Sequence, residues 1–272
     1  MIAAQRLARP AKDMLRKRFP SLWVRWHLAH SAIEPELGLL RYIVPRDGIA
    51  VDIGANFGVY SRELARLTDT VHAFEPSKSM ADMLRRTAPR NVVVHETALS
   101  DHAGEAALRT PEGADGPVYS LASIEPNPGG MTEPFVSVDV PLARLDSVLR
   151  EHVGFVKIDV EGHELKVLEG ARGLLERSKP IFLVEAEERH RRGAVASVCE
   201  FFRRYGYRGF FMLDSGAHST EEFEAALLQD HGSLQSDGSR KPGRAYVNNF
   251  FFFPPTVDGR RRLANAAQSR PN

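Results

Sequence analysis

Three observations predict an α/β fold in which a mostly parallel sheet has helices on both faces. Short apolar strands alternate with helices through most of the chain, and strands connected in this way pair in parallel through right-handed crossovers. The first strand, at Ile49–Ile53, runs directly into a glycine-rich turn that opens a helix. With 272 residues, 43% of them hydrophobic, the chain is long enough for one large core.

The predicted elements follow from runs of apolar residues and from helical spacing. The strands of the main sheet are predicted at 49–53, 70–74, 91–96, 155–160, 180–185, 207–213 and 246–253. The helices are predicted at 34–43, 60–67, 78–87, 142–149, 164–176 and 195–205. The polar stretch between residues 213 and 246 is expected to be a mobile loop.

The chain divides into three parts by composition. Residues 1–33 form a basic arm with helical spacing, residues 34–256 form the main domain, and residues 257–272 are expected to be a disordered basic tail. Residues 104–140 interrupt the alternation of strands and helices, with strand character at each end and several prolines and glycines between. They are predicted to form a hairpin whose long loop is either a substrate lid or a surface excursion.

The basic arm is the one strongly charged part of the sequence. It contains seven basic residues and the single acid Asp13, whereas the whole chain has a formal charge of only +1. The overall balance gives no indication of a nucleic-acid partner. Two interpretations of the arm remain open: peripheral attachment to an anionic membrane surface or a partner, and packing over the domain with its arginines in solvent. The sequence does not indicate an oligomeric state.

Cysteine content and apolar runs indicate a cytoplasmic protein. The single cysteine, Cys199, excludes a disulfide framework within the chain and any metal site built from several cysteines. Its apolar neighbours predict that it packs against a core. We find neither an apolar run of about twenty residues nor the apolar centre of a secretory signal. The expectation is a soluble or at most peripheral protein.

The glycine-rich turn after the first strand is the first candidate site. In open α/β sheets, ligands bind outside the carboxyl ends of the strands, and Asp52 lies at that end of its strand. Gly54 and Gly58 allow a tight turn, but the third glycine of the GxGxxG pattern is missing. That difference favours a cofactor without a pyrophosphate over a dinucleotide.

Two further strand ends bear polar side chains. Glu75 follows the second strand, where a carboxylate can accept hydrogen bonds from ribose hydroxyls of either NAD or S-adenosylmethionine. The fourth strand bears Lys157 and Asp159, which are costly on a buried strand unless they reach a cavity or partners. Asp159 is therefore the best candidate to face a reacting centre. No spacing demands a divalent metal between Asp159 and Glu185, so no metal site is predicted.

Four segments together resemble the FkbM-type methyltransferases. They are VDIGANFGVY at 51–60, AFEP at 73–76, ALSD at 98–101 followed by GE at 104–105, and VKIDVEGHELKVLEGA at 156–171. The resemblance extends over roughly residues 34–254. It implies an S-adenosylmethionine-dependent enzyme with the class I, Rossmann-like fold of seven strands, which methylates hydroxyl groups of sugars or polyketides.

The resemblance also implies which residues hold the cofactor. The turn and the helix after it would surround the methionine part, Glu75 the ribose, and the segment after the third strand the adenine edge. The implied cofactor-binding residues are Asp52, Gly54, Ala55, Asn56, Gly58, Tyr60, Phe74, Glu75, Ala98, Leu99, Ser100 and Asp159.

The candidate catalytic residues are Asp159, His163 and Glu185. Transfer of a methyl group to an alcohol benefits from a base that takes the hydroxyl proton. We expect Asp159 beside the sulfonium or the acceptor hydroxyl, with His163 or Glu185 as the base. Two alternatives remain open: a methyltransferase-like binding or scaffold module that has lost turnover, and a nicotinamide-dependent oxidoreductase. The sequence does not identify the acceptor.

Overall fold

The computed structural model describes residues 18–30, 34–46, 48–113, 116–126, 134–234, 241 and 243–269. The strands are β1 Ile49–Ile53, β2 Thr70–Phe74, β3 Val92–His95, β4 Ala98–Leu99, β5 Gly104–Gly113, β6 Gly116–Pro117, β7 Phe135–Ala143, β8 Val153–Ile158, β9 Ile181–Glu185, β10 Arg208–Leu213, β11 Gly216–Ser219 and β12 Asn249–Phe253. The α-helices are α1 Pro20–His30, α2 Leu40–Ile43, α3 Val59–Leu64, α4 Lys78–Thr87, α5 Leu145–Val148, α6 Glu164–Glu169, α7 Arg172–Ser178, α8 Ala194–Arg204, α9 Ala225–Leu228 and α10 Gly259–Gln268.

The main sheet has eight strands in the order β11-β10-β12-β9-β8-β1-β2-β3. From β9 to β3 the neighbouring strands are parallel, whereas β12, β10 and β11 are joined by antiparallel pairs. The α/β architecture with a mainly parallel sheet is confirmed, but the sheet has one strand more than the predicted seven. The additional strand is β11, within a stretch that was expected to be a loop.

The missed strand β11 forms a hairpin with β10. Its sequence, Gly-Ala-His-Ser, has little apolar content, so the residues alone give no strand pattern. The pairing arises because Asp214 and Ser215 both adopt positive φ and turn the chain back on itself between Leu213 and Gly216. The hairpin therefore depends on the turn and on the edge of β10.

Helices pack on both faces of the sheet, as predicted. Alternate side chains of β1 point to opposite sides, so Val51 and Ile53 join one apolar cluster and Ala50 joins the other. The first cluster contains residues of α6, α7 and α8, and the second contains residues of α2, α3 and α10. The four phenylalanines 250–253 of β12 are fully buried between these layers, which agrees with their prediction as a paired core strand.

The insertion forms a second, smaller sheet in the order β4-β7-β5-β6. Strands β5 and β7 pair antiparallel from Gly104↔Leu142 to Pro111↔Phe135, so the predicted hairpin is confirmed. Strand β7 continues to Ala143, which shortens the helix predicted at 142–149 to Leu145–Val148. Residues 127–133 lie outside the described ranges, and the lid function of this loop stays a prediction.

The C-terminal segment forms helix α10 where a disordered tail was expected. The Asp258 side chain caps the helix by accepting a hydrogen bond from the amide of Arg261. Leu263 and Ala266 are fully buried in the cluster that contains α2. These two apolar side chains, together with a hydrogen bond of 3.0 Å from Arg262 to the Tyr42 carbonyl, anchor a mostly polar helix, and a composition argument overlooks so small an apolar face. Residues 270–272 lie outside the described ranges.

We expect Leu263→Ala to lower the free energy of unfolding by about 2–5 kcal/mol, because it removes a fully buried side chain and leaves a cavity. The matched control is Leu227→Ala, which truncates a helical leucine that is 66% exposed and is expected to change stability by less than about 0.5 kcal/mol. Chemical denaturation of both variants measures the difference. Equal stabilities would show that α10 does not pack on the domain.

The cysteine of the chain has a packing role. Cys199 lies on α8 against the main core, and burial raises the pKa of its thiol to about 11, which suits a packing role and not a nucleophile.

In the described ranges, we find no helix with the length and apolar character needed to span a bilayer.

Candidate active site

A cavity of about 790 Å³ lies where four neighbouring parallel strands end. Each of these strands contributes one acidic side chain to the lining: Asp52 from β1, Glu75 after β2, Asp159 after β8 and Glu185 at the end of β9. Parallel strands bring their carboxyl ends to the same edge of a sheet. The topology therefore gathers carboxylates that are far apart in the sequence.

The lining includes most residues that the sequence predicted for the site. These are Asp52, Gly54, Ala55, Asn56, Tyr60, Phe74, Glu75, Ala98, Leu99, Asp159, His163 and Glu185. Of the remaining predicted residues, Ser100 lies behind the wall and contacts His163, and Gly58 lies at the start of α3. The structure thus brings the predicted residues together but gives Ser100 and Gly58 supporting positions.

Two glycines shape the turn after β1 for different reasons. Gly54 has φ of 79°, and a Cβ atom there would lie 1.7 Å from the carbonyl oxygen of Asp159. A side chain at Gly54 is therefore excluded by the backbone that follows β8. Gly58 has φ of 88°, and a Cβ atom would lie 2.3 Å from the Leu84 side chain. Gly58 thus allows α3 and α4 to pack closely behind the turn.

Glu75 holds the turn through both of its oxygens. Its Oε2 accepts a hydrogen bond from the amide of Asn56 at 2.8 Å, and its Oε1 accepts one from the amide of Ser77 at 2.8 Å. Burial nevertheless raises the pKa of Glu75 to about 7. Each carboxylate oxygen has a second lone pair, so an ionised Glu75 can still accept hydrogen bonds from a ligand in the cavity.

We expect Glu75→Gln to abolish tight cofactor binding, because the amide group would place a donor against the amide of Asn56 or Ser77. In the unaltered protein, cofactor affinity is expected to rise about tenfold between about pH 6 and pH 8, as Glu75 loses its proton. Calorimetric titration across that range measures both effects. Glu176→Gln, on an exposed position of α7, is the control, and an unchanged affinity in Glu75→Gln would contradict the assignment.

Lys157 is fully buried at the centre of the site. Its Nζ lies 3.6 Å from Asp159 Oδ2, 3.7 Å from Glu185 Oε2 and 3.3 Å from Asn249 Oδ1, and 4.9 Å from the centre of the Tyr60 ring. Burial alone would lower the pKa of Lys157, but the charges of Asp159 and Glu185 outweigh it and raise the pKa above its ordinary value. The ammonium group is the counter-ion of both carboxylates.

The carboxylates of the site differ in their surroundings. Burial, together with the charge of Asp159, raises the pKa of Glu185 well above its ordinary value. Glu185 Oε1 accepts a hydrogen bond from Asn248 at 2.7 Å, which leaves Oε2 facing Lys157. Asp52 accepts a hydrogen bond from Ser61 at 2.5 Å, and burial raises its pKa to about 6. A carboxylate with a raised pKa is the better match for a general base at neutral pH.

His163 is held by hydrogen bonds at both ring nitrogens. Its Nε2 lies 2.9 Å from Ser100 Oγ and its Nδ1 lies 2.6 Å from Glu125 Oε1. The hydrogen bond from His163 outweighs burial and lowers the pKa of Glu125. A ring with both nitrogens engaged is less available as a base than Glu185. Glu125 belongs to the insertion, where the sequence gives no signal for a histidine partner.

A second buried ionic cluster supports the cavity wall. Glu161 lines the cavity and its Oε2 lies 2.6 Å from His190 Nε2, while Glu187 binds Arg189 with two hydrogen bonds of 2.8 Å and also accepts one from Tyr246. Burial would lower the pKa of His190, but Glu161 and Glu187 outweigh it and raise the pKa to about 10. Within the described residues, no group of three or more His, Cys, Asp or Glu side chains has the arrangement of a metal site.

Comparison with known protein families shows which family this chain belongs to. Residues 52–208, more than half of the chain, match the family model described as the methyltransferase FkbM domain. The chain belongs to the FkbM methyltransferase family. The family predicted from the sequence is thereby confirmed. The match includes every carboxylate at the four strand ends, and it leaves α1 and α10 outside.

Individual relatives are more distant. The hexuronic acid methyltransferase AglP of Haloferax volcanii is 33% identical over 134 residues, which cover 48% of this chain and 52% of that protein. The methyltransferase sdnD of Sordaria araneosa is 31% identical, covering 47% of this chain and 61% of that one. This chain therefore spans about half of the length of AglP and about three fifths of the length of sdnD.

A crystal structure of the methyltransferase FkbM from Methylobacillus flagellatus is also similar. It has 18% sequence identity and a TM-score of 0.48, and the alignment covers 90% of this chain and 58% of that one.

Proposed function

We propose that the protein is an S-adenosylmethionine-dependent O-methyltransferase that methylates a hydroxyl group of a sugar, glycan or polyketide-like small molecule. The observation that supports this proposal most directly is the cavity in which a buried ammonium group lies 3.6 Å from Asp159 and 3.7 Å from Glu185, beside the turn after β1. We also propose a cytoplasmic location, because a chain with one cysteine needs no oxidising compartment.

The chain's own residues fit this cofactor in charge and shape. The cavity volume lies in the range of small-molecule sites, and its acidic lining suits a cationic sulfonium and ammonium. The backbone at Gly54 leaves no room for a side chain. Glu75 would hold the ribose hydroxyls, Asn56 and its neighbours the methionine part, and Leu99 the adenine edge. The bound cofactor would supply an activated methyl group on a positively charged sulfur.

Asp159 and Glu185 would prepare the acceptor hydroxyl. The acceptor oxygen must be held in line with the methyl group at about 3 Å. We assign Glu185 Oε2 as the base that takes the hydroxyl proton, because burial raises its pKa well above the ordinary value and its other oxygen is fixed by Asn248. Asp159, the other carboxylate beside Lys157, would orient the same hydroxyl.

The rim of the cavity suggests which acceptors to test first. Arg41 and Arg66 line it on the side of α2 and α3, and both residues are exposed. A guanidinium group binds a carboxylate in a bidentate geometry. One matched relative acts on a hexuronic acid. We therefore propose that the acceptor is an anionic sugar, with neutral sugars as the comparison.

Two measurements, made one after the other, test the proposal. Calorimetry with S-adenosylmethionine and with NAD is expected to show micromolar binding of the first alone. Methyl-labelled cofactor is then incubated with the full chain and pairs of glycosides that differ only in a carboxylate or hydroxymethyl group at C6. Transfer to a hydroxyl of the uronic acid glycoside is expected, as mapped by mass spectrometry. Binding without transfer to any acceptor or cell extract would favour the scaffold alternative, and preferential binding of NAD would contradict the cofactor.

A further inference from the structure

We propose that α1 binds an anionic membrane surface through its solvent-facing side and so docks the enzyme on lipid. This inference goes beyond the proposed reaction and does not depend on it. The proposal rests on three observations: one side of α1 is fixed to the domain, the other side exposes large apolar residues, and the arm around it is strongly basic.

The inner side of α1 packs on the domain beside the cavity. Val24 is buried against Met80 and Met83 of α4. The Trp23 ring meets the Phe57 ring edge-on at 5.6 Å, and the His27 ring lies 5.4 Å from the same ring. Phe57 lines the cavity. The helix is therefore attached to the turn that forms the candidate cofactor site.

The outer side of α1 exposes a stripe of large apolar side chains. Leu22 and Trp26 are 60% and 41% exposed, and their spacing of four residues places them on one side of α1. Phe19, which directly precedes the helix, is 49% exposed. Large aromatic and aliphatic side chains on a surface helix are typical of segments that lie in the membrane interface. Such side chains insert into lipid without needing a preformed pocket.

The positive charge of the arm favours an anionic lipid surface as the partner of α1. Arg18 and Arg25 are exposed beside the stripe, and residues 14–33 contain four basic residues and no acid. The arm, residues 1–33, has a formal charge of +6 in a chain of +1, so the remainder has −5. Basic residues beside a surface helix are attracted to anionic headgroups, and the acidic remainder is repelled. The charge distribution thus orients the arm towards the lipid.

Strand β7 also exposes large apolar side chains, so exposure alone does not identify a membrane-binding surface. Phe135, Val136 and Val138 on β7 are 42–57% exposed. Residues 131–143, however, contain two acids and no basic residue. Arg109 of β5 lies over the Phe135 ring at 5.8 Å, and the two acids offset its charge, so this stripe has no net positive charge to attract anionic lipid. The membrane assignment therefore applies to α1 alone.

The test uses the full chain with Trp23→Phe, which leaves Trp26 as the only tryptophan of the sequence. Vesicles of phosphatidylcholine, alone or mixed with phosphatidylglycerol, are titrated while Trp26 fluorescence is recorded. We expect a blue shift and quenching by brominated lipid, with at least about tenfold tighter binding to the anionic vesicles. Raising the salt concentration is expected to weaken binding because it screens the headgroups.

Leu22→Ser supplies the decisive comparison, with Leu227→Ser as its control on α9, where the leucine is 66% exposed. We expect Leu22→Ser to weaken vesicle binding about tenfold and Leu227→Ser to leave it unchanged. Binding that is absent, equal on both vesicle types or equal in the two variants would overturn the proposal. Sedimentation equilibrium without lipid completes the test: a dimer that Leu22→Ser dissociates would assign the stripe to a second copy of the chain.

Discussion

Replacing Glu185 with glutamine is expected to lower kcat for methyl transfer by at least about 100-fold while changing the KM for acceptor by less than about threefold. The amide is nearly isosteric with the carboxyl group, and its oxygen can still accept the hydrogen bond from Asn248. It cannot take a proton from the acceptor hydroxyl. The variant therefore separates proton transfer from binding.

The measurement is steady-state methyl transfer at varied acceptor concentration and saturating cofactor, compared among three variants. Asp159→Asn removes the other carboxylate at Lys157 and is expected to raise KM as well as lower kcat, because we assign Asp159 to orient the hydroxyl. Glu176→Gln alters an exposed glutamate of α7 and is expected to have no effect. Full activity in Glu185→Gln would remove Glu185 as the base and return that assignment to His163.

Local patterns predicted much of the site because the fold places the ends of consecutive strands side by side. Asp52, Glu75, Asp159 and Glu185 each end a strand that is visible in the sequence, and the parallel topology gathers them. The sequence predicted that strand β8 extends to residue 160, which is two residues too far. The strand ends at Ile158, and the amide of Asp159 instead donates a hydrogen bond to the Ile53 carbonyl at 2.9 Å.

The parts that could not be predicted depend on contacts between distant segments. The Glu125 partner of His163 comes from the insertion, and the Asn249 partner of Lys157 comes from β12, which is 92 residues away in the sequence. The insertion of β12 between β9 and β10 brings Asn249 to the ammonium group. No local pattern encodes that strand order, so the sequence indicated Lys157 as a buried polar residue without showing its role.

Lys157→Met is expected to lower the free energy of unfolding by about 3–5 kcal/mol, because it leaves two carboxyl groups in a buried site without their cation. The rate of methyl transfer is also expected to fall. Without the ammonium group, which lowers the pKa of Glu185, burial and the charge of Asp159 raise that pKa further, so the acid limb of the pH–rate profile is expected to move to higher pH. Thermal or chemical unfolding and the pH–rate profile measure these effects.

Lys166→Met is the matched control because it also removes a lysine that pairs with an aspartate. Lys166 Nζ lies 2.9 Å from Asp101, closer than Lys157 lies to Asp159, but its side chain is 51% exposed. Solvent screens such a pair, and its loss is expected to cost less than about 1 kcal/mol. The loss of unfolding free energy on removing a lysine therefore depends more on the burial of its side chain than on its distance from the partner. Equal costs for the two variants would show that Lys157 is not the counter-ion of the site.

Combining Lys157→Met with Asp159→Asn separates the lost cation from the lost packing of its side chain. If uncompensated carboxylate charge causes the instability of Lys157→Met, removing one carboxylate is expected to restore part of the free energy of unfolding. The rate of methyl transfer is nevertheless expected to stay low in the double variant, because the acceptor hydroxyl has lost its orienting group. Stability that falls further in the double variant would instead assign Lys157 to packing against Tyr60. The two carboxylates would then be independent of the ammonium group.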